Sequence, residues 1–357
     1  MYKTCIRPLL FRFPSDRVHE STIRWATDAS ESALYKRFAG LLYNYQSADL
    51  SQEFWGLTFR NPAGLAAGFD KNGTLIPIME ATGFGFVEVG SITASPSTGN
   101  PKPRSFRLPK DNSLINRMGL NNDGAATITK RLKKAGHRIP VGVNIAKTHD
   151  PSIMGDEALE DYLESFLLAR EVADYLVINI SCPNTREGKT FEEPEELNRL
   201  LGKLQIRNDL TAPPVLIKLS SDLESTRLNE LLEISKNHAV SGFVATNTSS
   251  GREGLTTPKA RLDEIGNGGL SGRAIREKST SLIRQIHEQM RGECTIIGAG
   301  GIQSPEDAIE KLKAGADLLQ IYTGLIYEGP ALVKRINRGI HRYMKRNGLK
   351  EVYQIRM

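Results

Sequence analysis

The chain has 357 residues, of which 39% are hydrophobic and 25% are charged, as in a soluble globular protein and unlike a disordered or fibrous one. No stretch approaches the roughly 18 uninterrupted apolar residues of a membrane-spanning helix, and the three scattered cysteines exclude a disulfide framework and a CxxC-type metal site. The net charge of +6 is spread along the sequence, which favours a solvated basic surface over a nucleic-acid-binding patch.

Residues 1–50 differ in pattern from the rest of the chain. One apolar helical face combines Ile6, Leu9, Leu10 and Phe13, and a second stripe runs from Leu34 through Phe38, Leu41 and Leu42 to Tyr45. These patterns predict two or three short amphipathic helices ahead of the main domain. Two interpretations remain open: a helical cap packed on that domain, or a lobe that rests on a membrane surface with its apolar face partly exposed. No apolar core of a secretory signal is present, so we expect an intracellular protein.

From residue 62 onward, short apolar segments alternate with amphipathic ones. The apolar segments are rich in Val and Ile and are bounded by turn residues, as expected of buried parallel strands. Eight strands, each followed by a helix, predict an α/β fold, a (β/α)8 TIM barrel over residues 51–357 with a small N-terminal helical extension. An open doubly wound sheet is the alternative, and the lack of a GxGxxG motif after the first strand weakens it. The predicted strands are 62–69, 86–92, 141–146, 175–181, 215–220, 242–248, 295–301 and 318–324.

The predicted strand ends carry the polar groups of the barrel. Barrel enzymes bind their ligands at the carboxyl ends of the strands, and segments 298–301 and 322–324 resemble the phosphate sites that barrels build after strands seven and eight. The asparagine-rich segments 179–184 and 246–248 suit a planar ring that needs several fixed hydrogen bonds. Lys71 and Lys218 supply positive charge for an anionic ligand or a reduced flavin. No acidic cluster has metal-ligand spacing, so we expect no metal.

Seven motifs in order along the chain carry a family resemblance. The motifs are AAGFDKNG, INRMGLNNDG, NISCPNT, ATNT, GGLSG, IIGAGGI and LLQIYTG. Together they resemble dihydroorotate dehydrogenase over nearly the whole chain. The resemblance implies a bound FMN and oxidation of (S)-dihydroorotate to orotate in pyrimidine biosynthesis, with the flavin carrying the redox chemistry.

The resemblance also implies site residues. In the family mechanism a base removes the C5 proton of dihydroorotate while hydride passes from C6 to flavin N5. The implied cofactor residues are Ala67, Gly68, Lys71, Ser91, Asn144, Asn179, Lys218, Thr246, Gly272, Gly301, Tyr322 and Thr323. The implied substrate residues are Lys71, Asn116, Arg117, Met118, Gly119, Leu120, Asn179, Asn184, Asn247 and Thr248.

The N-terminal extension resembles that of class 2 members, which pass electrons to a membrane quinone. By the same comparison, His19, Arg107 and Tyr322 would line the quinone site. This subclass implies a peripheral membrane protein whose N-terminal helices contact the membrane surface, and it implies no iron–sulfur partner subunit. We expect it on the cytoplasmic face of the bacterial inner membrane, with the mitochondrial inner membrane as the weaker alternative.

Cys182 departs from the class 2 pattern, because those members usually carry serine as the base and cysteine is typical of class 1. A thiol with an unperturbed pKa near ~8.5 loses its proton far more readily than a hydroxyl. We therefore expect Cys182 to act as the base. Three alternatives stay open: a class 1 enzyme using fumarate or NAD, another FMN barrel such as a tRNA dihydrouridine synthase, and a non-enzymatic barrel that binds an anionic ligand.

Overall fold

The computed structural model describes residues 2–181, 190–206 and 212–356. Its α-helices are α1 (Arg7–Leu10), α2 (Ser15–Glu31), α3 (Ala33–Tyr43), α4 (Ile76–Ala81), α5 (Ala125–Lys134), α6 (Gly155–Ala169), α7 (Pro194–Leu204), α8 (Ser225–Asn237), α9 (Lys259–Ile265), α10 (Arg276–Met290), α11 (Pro305–Lys313), α12 (Thr323–Glu328) and α13 (Leu332–Arg346). Its strands are β1 (Gln52–Phe54), β2 (Leu57–Phe59), β3 (Ala63–Leu65), β4 (Phe86–Ile92), β5 (Ser105–Leu108), β6 (Ser113–Asn116), β7 (Val141–Ile145), β8 (Tyr175–Asn179), β9 (Val215–Leu219), β10 (Gly242–Ala245), β11 (Gly269–Gly272), β12 (Thr295–Ala299) and β13 (Leu318–Ile321). Short 3-10 turns lie at Ala48–Leu50, Pro109–Asp111, Thr190–Glu192, Arg273–Ile275 and Val352–Arg356, and a π-helical turn lies at Tyr2–Ile6.

Eight strands close into a parallel barrel. Their order is β3, β4, β7, β8, β9, β10, β12 and β13, and β13 pairs with β3 to complete the ring. Each predicted apolar segment contains one of these strands, so the predicted TIM barrel is confirmed. Several segments were predicted too long at their carboxyl ends. The seventh strand stops at Ala299 because Gly300 and Gly301 have φ values of 118° and 77°, which lie outside the β region.

An unpredicted hairpin, β1 with β2, covers the bottom of the barrel. Phe59 in β2 packs edge-on against Phe86 at the start of β4, with ring centroids 5.4 Å apart. Trp55 in the turn lies 5.8 Å from the ring of Tyr175 at the start of β8. Phe59, Phe86 and Tyr175 are fully buried. This aromatic cluster fills the amino-terminal end of the barrel and leaves the carboxyl ends of the strands for a ligand.

A second unpredicted sheet lies on the opposite rim. Strands β5, β6 and β11 form a three-stranded antiparallel sheet with β6 in the centre. In β6, Asn116 lies beside Ser105 of β5 and Gly269 of β11. The sheet therefore brings segment 113–120 to the same rim as the ends of the barrel strands.

The N-terminal helices pack on the barrel and still expose apolar side chains. Thr27 in α2 donates a hydrogen bond to Thr74 across 3.0 Å, and the Tyr45 hydroxyl lies 2.7 Å from Nδ1 of His341 in α13. On the outer side, Leu34 is 77% and Leu41 75% exposed. Features of both open interpretations, a packed cap and an exposed apolar face, are therefore present.

Within the described residues, no helix combines the length and apolar character required to cross a bilayer. The boundary at residue 50 stays a prediction.

Helix α11 buries a lysine that titrates near neutrality. The Nζ atom of Lys311 donates hydrogen bonds to Oγ1 of Thr280 (2.8 Å) and the carbonyl of Arg276 (3.0 Å). Burial lowers the pKa of Lys311 to about 7, so at pH 7–10 the unfolded chain binds more protons at this site and stability rises with pH.

We expect Lys311→Met to remove up to about 1.4 kcal/mol per pH unit from the slope of unfolding free energy against pH between 7 and 10. Urea denaturation at several pH values measures this slope. Lys313→Met, at an exposed position two residues later, is the control and should leave it unchanged. Equal slopes for Lys311→Met and the unmodified protein would contradict the assignment.

Candidate active site

A cleft that is partly open to solvent lies at the carboxyl ends of the barrel strands. Every predicted cofactor residue except Asn144 lines it, as does every predicted substrate residue within the described part of the chain except Arg117. The lining set includes Ala67, Gly68, Lys71, Ser91, Asn116, Met118, Gly119, Leu120, Asn179, Lys218, Thr246, Asn247, Thr248, Gly272, Gly301, Tyr322 and Thr323.

Amide and hydroxyl groups form a connected row along one wall of the cleft. The Nδ2 atom of Asn179 donates to Oγ of Ser91 across 3.0 Å, and Ser91 donates in turn to Oδ1 of Asn144. Asn247 donates from Nδ2 to the Ser181 carbonyl across 3.0 Å. Asn144 therefore lies one step behind the residues that line the cleft and orients Ser91, and its predicted cofactor contact stays a prediction.

A carboxylate that the sequence analysis missed lies beneath this wall. Glu88 in β4 is fully buried and accepts hydrogen bonds from Nδ2 of Asn144 (2.8 Å) and from Nε2 of Gln320. Its Oε1 atom lies 3.5 Å from Nζ of Lys218. A buried charge needs a partner of opposite sign, so Glu88 compensates the Lys218 ammonium below the cleft. The sequence contained a signal for this residue, because Glu88 is a charged residue in a predicted strand that is mostly apolar. Gln320 in β13 is a polar residue in the same kind of setting and could have been found in the same way.

The second lysine, Lys71, lies in the loop after β3. Burial, followed by the positive charge of Arg104, lowers the pKa of Lys71 to about 8, while Asp70, Asp16 and Glu20 oppose that shift. The side chain is therefore mostly protonated at neutral pH. It faces the cleft without an ion pair to any described residue, an arrangement that favours a bound anion.

The loop after β12 presents backbone donors. In the described part of the chain, Gly300, Gly301 and Ile302 donate their backbone N–H groups to no protein acceptor. A Cβ atom on Gly301 would lie 2.4 Å from Cβ of Arg276, so only glycine fits there. Thr323, at the start of α12, shares a hydrogen bond of 2.8 Å with Ser271 across the same corner. Successive unpaired N–H groups form an anion-binding concavity.

The predicted substrate residues approach from the rim sheet and the loop after β10. Oγ1 of Thr248 is buried and has no hydrogen-bond partner among the described residues, and Asn116 donates from Nδ2 to the Gly269 carbonyl across 3.3 Å. The guanidinium of Arg117 contacts other parts of the chain, and its predicted role as a substrate ligand stays a prediction. Its guanidinium donates to the Asn267 carbonyl across 3.0 Å and lies 4.6 Å from the centroid of the Phe106 ring, so only its neighbours line the cleft.

Two of the three predicted quinone residues, His19 and Tyr322, are linked by Phe69, which the sequence analysis did not single out. The Phe69 ring lies 5.4 Å from the Tyr322 ring inside the cleft and 6.1 Å from the His19 ring in α2. Burial, with the positive charges of Lys71 and Arg104, lowers the pKa of His19 to about 3, so the imidazole is neutral at physiological pH. A row of three rings therefore connects the cleft to the N-terminal helices.

Arg107 in β5 lies on the outer side of these helices. Its Nη1 atom donates to the Leu10 carbonyl across 3.1 Å, and its Nη2 atom donates to the Phe13 carbonyl. Its guanidinium also lies 4.5 Å from the centroid of the Phe11 ring. Arg107 thus holds the turn after α1, and contacts with Leu10 and Phe13 place it beside a groove lined by both of these residues and by Trp25.

Cys182 and Asn184 lie outside the described residues, so their predicted roles stay predictions. Ser181, the residue before Cys182, is buried. Its hydroxyl donates to the Lys218 carbonyl across 2.9 Å, and its own carbonyl accepts from Asn247. The chain is therefore anchored at the cleft rim up to the position that precedes the predicted base.

Comparison with known proteins assigns the chain to a family. The family model for dihydroorotate dehydrogenase matches residues 49–344. The chain belongs to the dihydroorotate dehydrogenase family. Curated relatives named dihydroorotate dehydrogenase (quinone) include proteins of Synechococcus sp. strain JA-3-3Ab, 42% identical over 95% of this chain and 92% of the relative, and of Chloroflexus aurantiacus, 42% identical over 96% and 97%. The predicted family and its class 2 type are thereby confirmed.

Solved structures of the family share this architecture. The ligand-free dihydroorotate dehydrogenase of Eimeria tenella superposes with a TM-score of 0.82 at 31% identity, over 93% of this chain and 97% of that one. The same enzyme in complex with ferulenol gives a TM-score of 0.80 at 30% identity, over 93% of this chain and 94% of that one. Dihydroorotate dehydrogenases are flavin-dependent oxidoreductases of pyrimidine biosynthesis.

Proposed function

We propose that this chain oxidises (S)-dihydroorotate to orotate with a bound FMN and passes the electrons to a membrane quinone. The observation that carries the proposal is the composition of the cleft. One wall offers neutral amides and hydroxyls for a planar ring, two lysines supply positive charge, and one corner offers free backbone N–H groups. This donor set suits a phosphorylated ring cofactor beside a small anionic substrate.

The residues present fit FMN. The free N–H groups of Gly300, Gly301 and Ile302 would hold the phosphate, together with Thr323. Asn179 and Ser91 would bond the edge of the ring system, with Lys218 near its electron-rich part. When bound, the flavin accepts the hydride that leaves C6 of dihydroorotate.

The remaining groups position the substrate and move its proton. Lys71 would bind the orotate carboxylate, and Asn116, Asn247 and Thr248 would bond the polar edge of the pyrimidine ring. Cys182, as thiolate, would take the C5 proton and become a neutral thiol. Asn184 would add a further amide to the substrate site.

We assign quinone access to the side of the cleft that faces the N-terminal helices. The ring row of His19, Phe69 and Tyr322 leads from the cleft toward α2. Burial raises the pKa of Tyr322 to about 12 and leaves His19 uncharged, so both rings offer neutral surface to a neutral quinone. Arg107 lies beside the outer groove, where its guanidinium can donate to a quinone oxygen.

The test of the function separates the two half-reactions. Anaerobic addition of dihydroorotate should bleach the flavin absorbance, and a short-chain ubiquinone should then restore it. Fumarate should fail to restore it. Reoxidation by fumarate instead would establish the class 1 alternative, and absence of bleaching would contradict dihydroorotate as the substrate.

The exposed apolar residues of α2 and α3 support a second part of the proposal, binding to a membrane surface. Trp25 and Phe38 are each 60% exposed, and Leu34 and Leu41 more so. An amphipathic helix buries such a face in the interfacial region of a bilayer. We place the enzyme at the cytoplasmic face of a bacterial inner membrane, where soluble dihydroorotate and membrane quinone are both accessible.

We expect the double variant Leu34→Glu/Leu41→Glu to lose most of its binding to phospholipid vesicles in a co-sedimentation assay. Two charged side chains would replace apolar groups that enter the bilayer interface. The variant should keep its activity with a water-soluble short-chain quinone. Leu167→Glu in α6 is the control, because Leu167 is 48% exposed but lies outside the N-terminal helices. Unchanged vesicle binding of the double variant would contradict the proposed membrane face.

A further inference from the structure

A continuous chain of hydrogen bonds links α2 to the substrate segment. Asp16 is 8% exposed, and its Oδ2 atom accepts from the backbone N–H of Arg104 across 2.9 Å. The carbonyl of Arg104 accepts in turn from the backbone N–H of Arg117 across 2.8 Å. Arg117 opens the segment whose next three residues line the cleft. A carboxylate of the N-terminal helix therefore lies only two hydrogen bonds from the proposed substrate site.

The side chain of Arg104 strengthens this connection. Its Nη1 atom donates to the carbonyls of Thr98 (2.8 Å) and Asn100 (3.3 Å). Its Nη2 atom lies 3.9 Å from Oε1 of Glu20, and the same Oε1 atom forms an ion pair of 2.5 Å with Nζ of Lys102. The Arg104 side chain is only 9% exposed, whereas that of Glu20 is 41% exposed, so solvent screens the ion pair and the hydrogen bonds of Arg104 contribute more to the connection. The guanidinium thus holds loop 98–100 from inside and faces a carboxylate of α2.

Loop 98–100 lies directly against the substrate segment. The Asn100 backbone N–H donates to the Met118 carbonyl across 3.1 Å, and its Nδ2 atom donates to the Arg117 carbonyl across 3.0 Å. Gly119 has a φ of 71°, and a Cβ atom there would lie 2.5 Å from the Asn100 nitrogen. The two backbones are in direct contact and hydrogen-bonded, so we expect a shift of loop 98–100 to move residues 118–119.

The contact between Asp16 and Arg104, called the bridge below, leaves two buried polar atoms without a hydrogen-bond partner. Oδ1 of Asp16 and Nε of Arg104 have no hydrogen-bond partner among the described residues. A bridge that served stability alone would be expected to satisfy both atoms, because buried polar groups without partners are costly. The same charges surround Lys71, which faces Asp70 from its own loop, Asp16, His19 and Glu20 from α2, and Arg104 from the rim.

We propose that Asp16 and Arg104 are positioning residues for dihydroorotate, so that α2 completes the pyrimidine site as well as the path for quinone. The proposal rests on the proposed function. The pair of Asp16 and Arg104 fixes the position of segment 117–120 through backbone hydrogen bonds. The charges of the same pair set the electrostatic environment of Lys71. The N-terminal helices then couple the membrane side of the enzyme to the substrate side.

The test measures orotate binding to the oxidised holoenzyme by the change in flavin absorbance, with no quinone present. We expect Asp16→Ala to weaken orotate binding by about tenfold, within the usual range for coupling between sites, and to raise the dihydroorotate concentration needed for half-maximal bleaching. Asp16→Asn keeps an acceptor oxygen and should recover part of this loss. Asp28→Asn, at an exposed position of the same helix, should bind orotate like the unmodified enzyme.

The pH dependence gives a readout that misfolding does not reproduce. Orotate binding should fall as Lys71 loses its proton. Asp16→Asn removes a negative charge that raises the pKa of Lys71, so this fall should move to lower pH. Arg104→Gln removes a positive charge that lowers this pKa, so the fall should move to higher pH. Shifts in the same direction, or no shifts, would overturn the proposal.

The outcomes also separate this inference from the proposed function. If the unmodified holoenzyme binds no orotate, both fail together. If it binds orotate and the Asp16 variants bind as tightly as Asp28→Asn, this inference alone fails.

Discussion

Cys182→Ala should slow the reduction of bound flavin by dihydroorotate by roughly 10²–10⁴-fold, the usual contribution of a general base. The proton at C5 must leave as hydride leaves C6, and alanine offers no acceptor. Orotate binding should change little, because the proposed substrate contacts of Lys71, Asn247 and Thr248 remain. Anaerobic stopped-flow bleaching of the flavin measures the rate, and titration with orotate measures the binding.

Two further variants make this test specific. Cys182→Ser should be slow at neutral pH and should recover as pH rises, because a hydroxyl is far less acidic than a thiol of pKa near ~8.5. Cys294→Ala is the matched control. Burial, followed by the negative charges of Asp317 and Glu293, raises the pKa of Cys294 to about 12, so that thiol stays protonated and inert. Normal bleaching by Cys182→Ala would assign the base to another residue.

The second large effect concerns stability. We expect Glu88→Gln to lower the free energy of unfolding by about 3–5 kcal/mol, the cost of leaving one member of a buried ion pair without its partner. Glu88 is fully buried, and the side chain of Lys218 is only 7% exposed. Water can therefore replace the lost carboxylate only in part, from the cleft side. Urea denaturation followed by circular dichroism measures the change.

The double variant Glu88→Gln/Lys218→Met is the control for this assignment. With both charges removed, much of the lost stability should return, because no uncompensated charge stays buried. Measurements with and without added FMN separate intrinsic stability from the contribution of cofactor binding. A loss below about 1 kcal/mol for Glu88→Gln would mean that Glu88 does not compensate Lys218 in the folded protein.

The residues that sequence reasoning missed share a physical reason. Glu88 and Gln320 lie in strands whose other residues are apolar, and a pattern of apolar residues predicts burial without naming what a buried polar group contacts. Their partners, Asn144 and Lys218, lie on other strands of the ring. Only closure of the barrel brings these four side chains together.

The sequence predicted only short helices before the barrel, and the length of α2 was missed for a different reason. It runs for 17 residues, yet it buries only Asp16, Ala26, Ala29 and Ser30. Two of these are polar and two are small, so no apolar stripe marks the face that contacts the barrel. Its exposed Trp25 points to solvent instead. The two stripes that were recognised, around Leu10 and around Leu41, belong to α1 and α3.

The order of the eight apolar segments was enough, by itself, to determine the barrel and the rim that carries the chemistry. Strand length, turn residues and the alternation with helices are local properties, and parallel closure then directs all carboxyl ends to one side. Local sequence cannot specify contacts between distant parts of the chain. Asp16 and Arg104 are 88 positions apart, and the hairpin, the rim sheet and the row of rings depend on equally distant pairs. Only the tertiary structure decided them, because such contacts form when packing brings remote segments together.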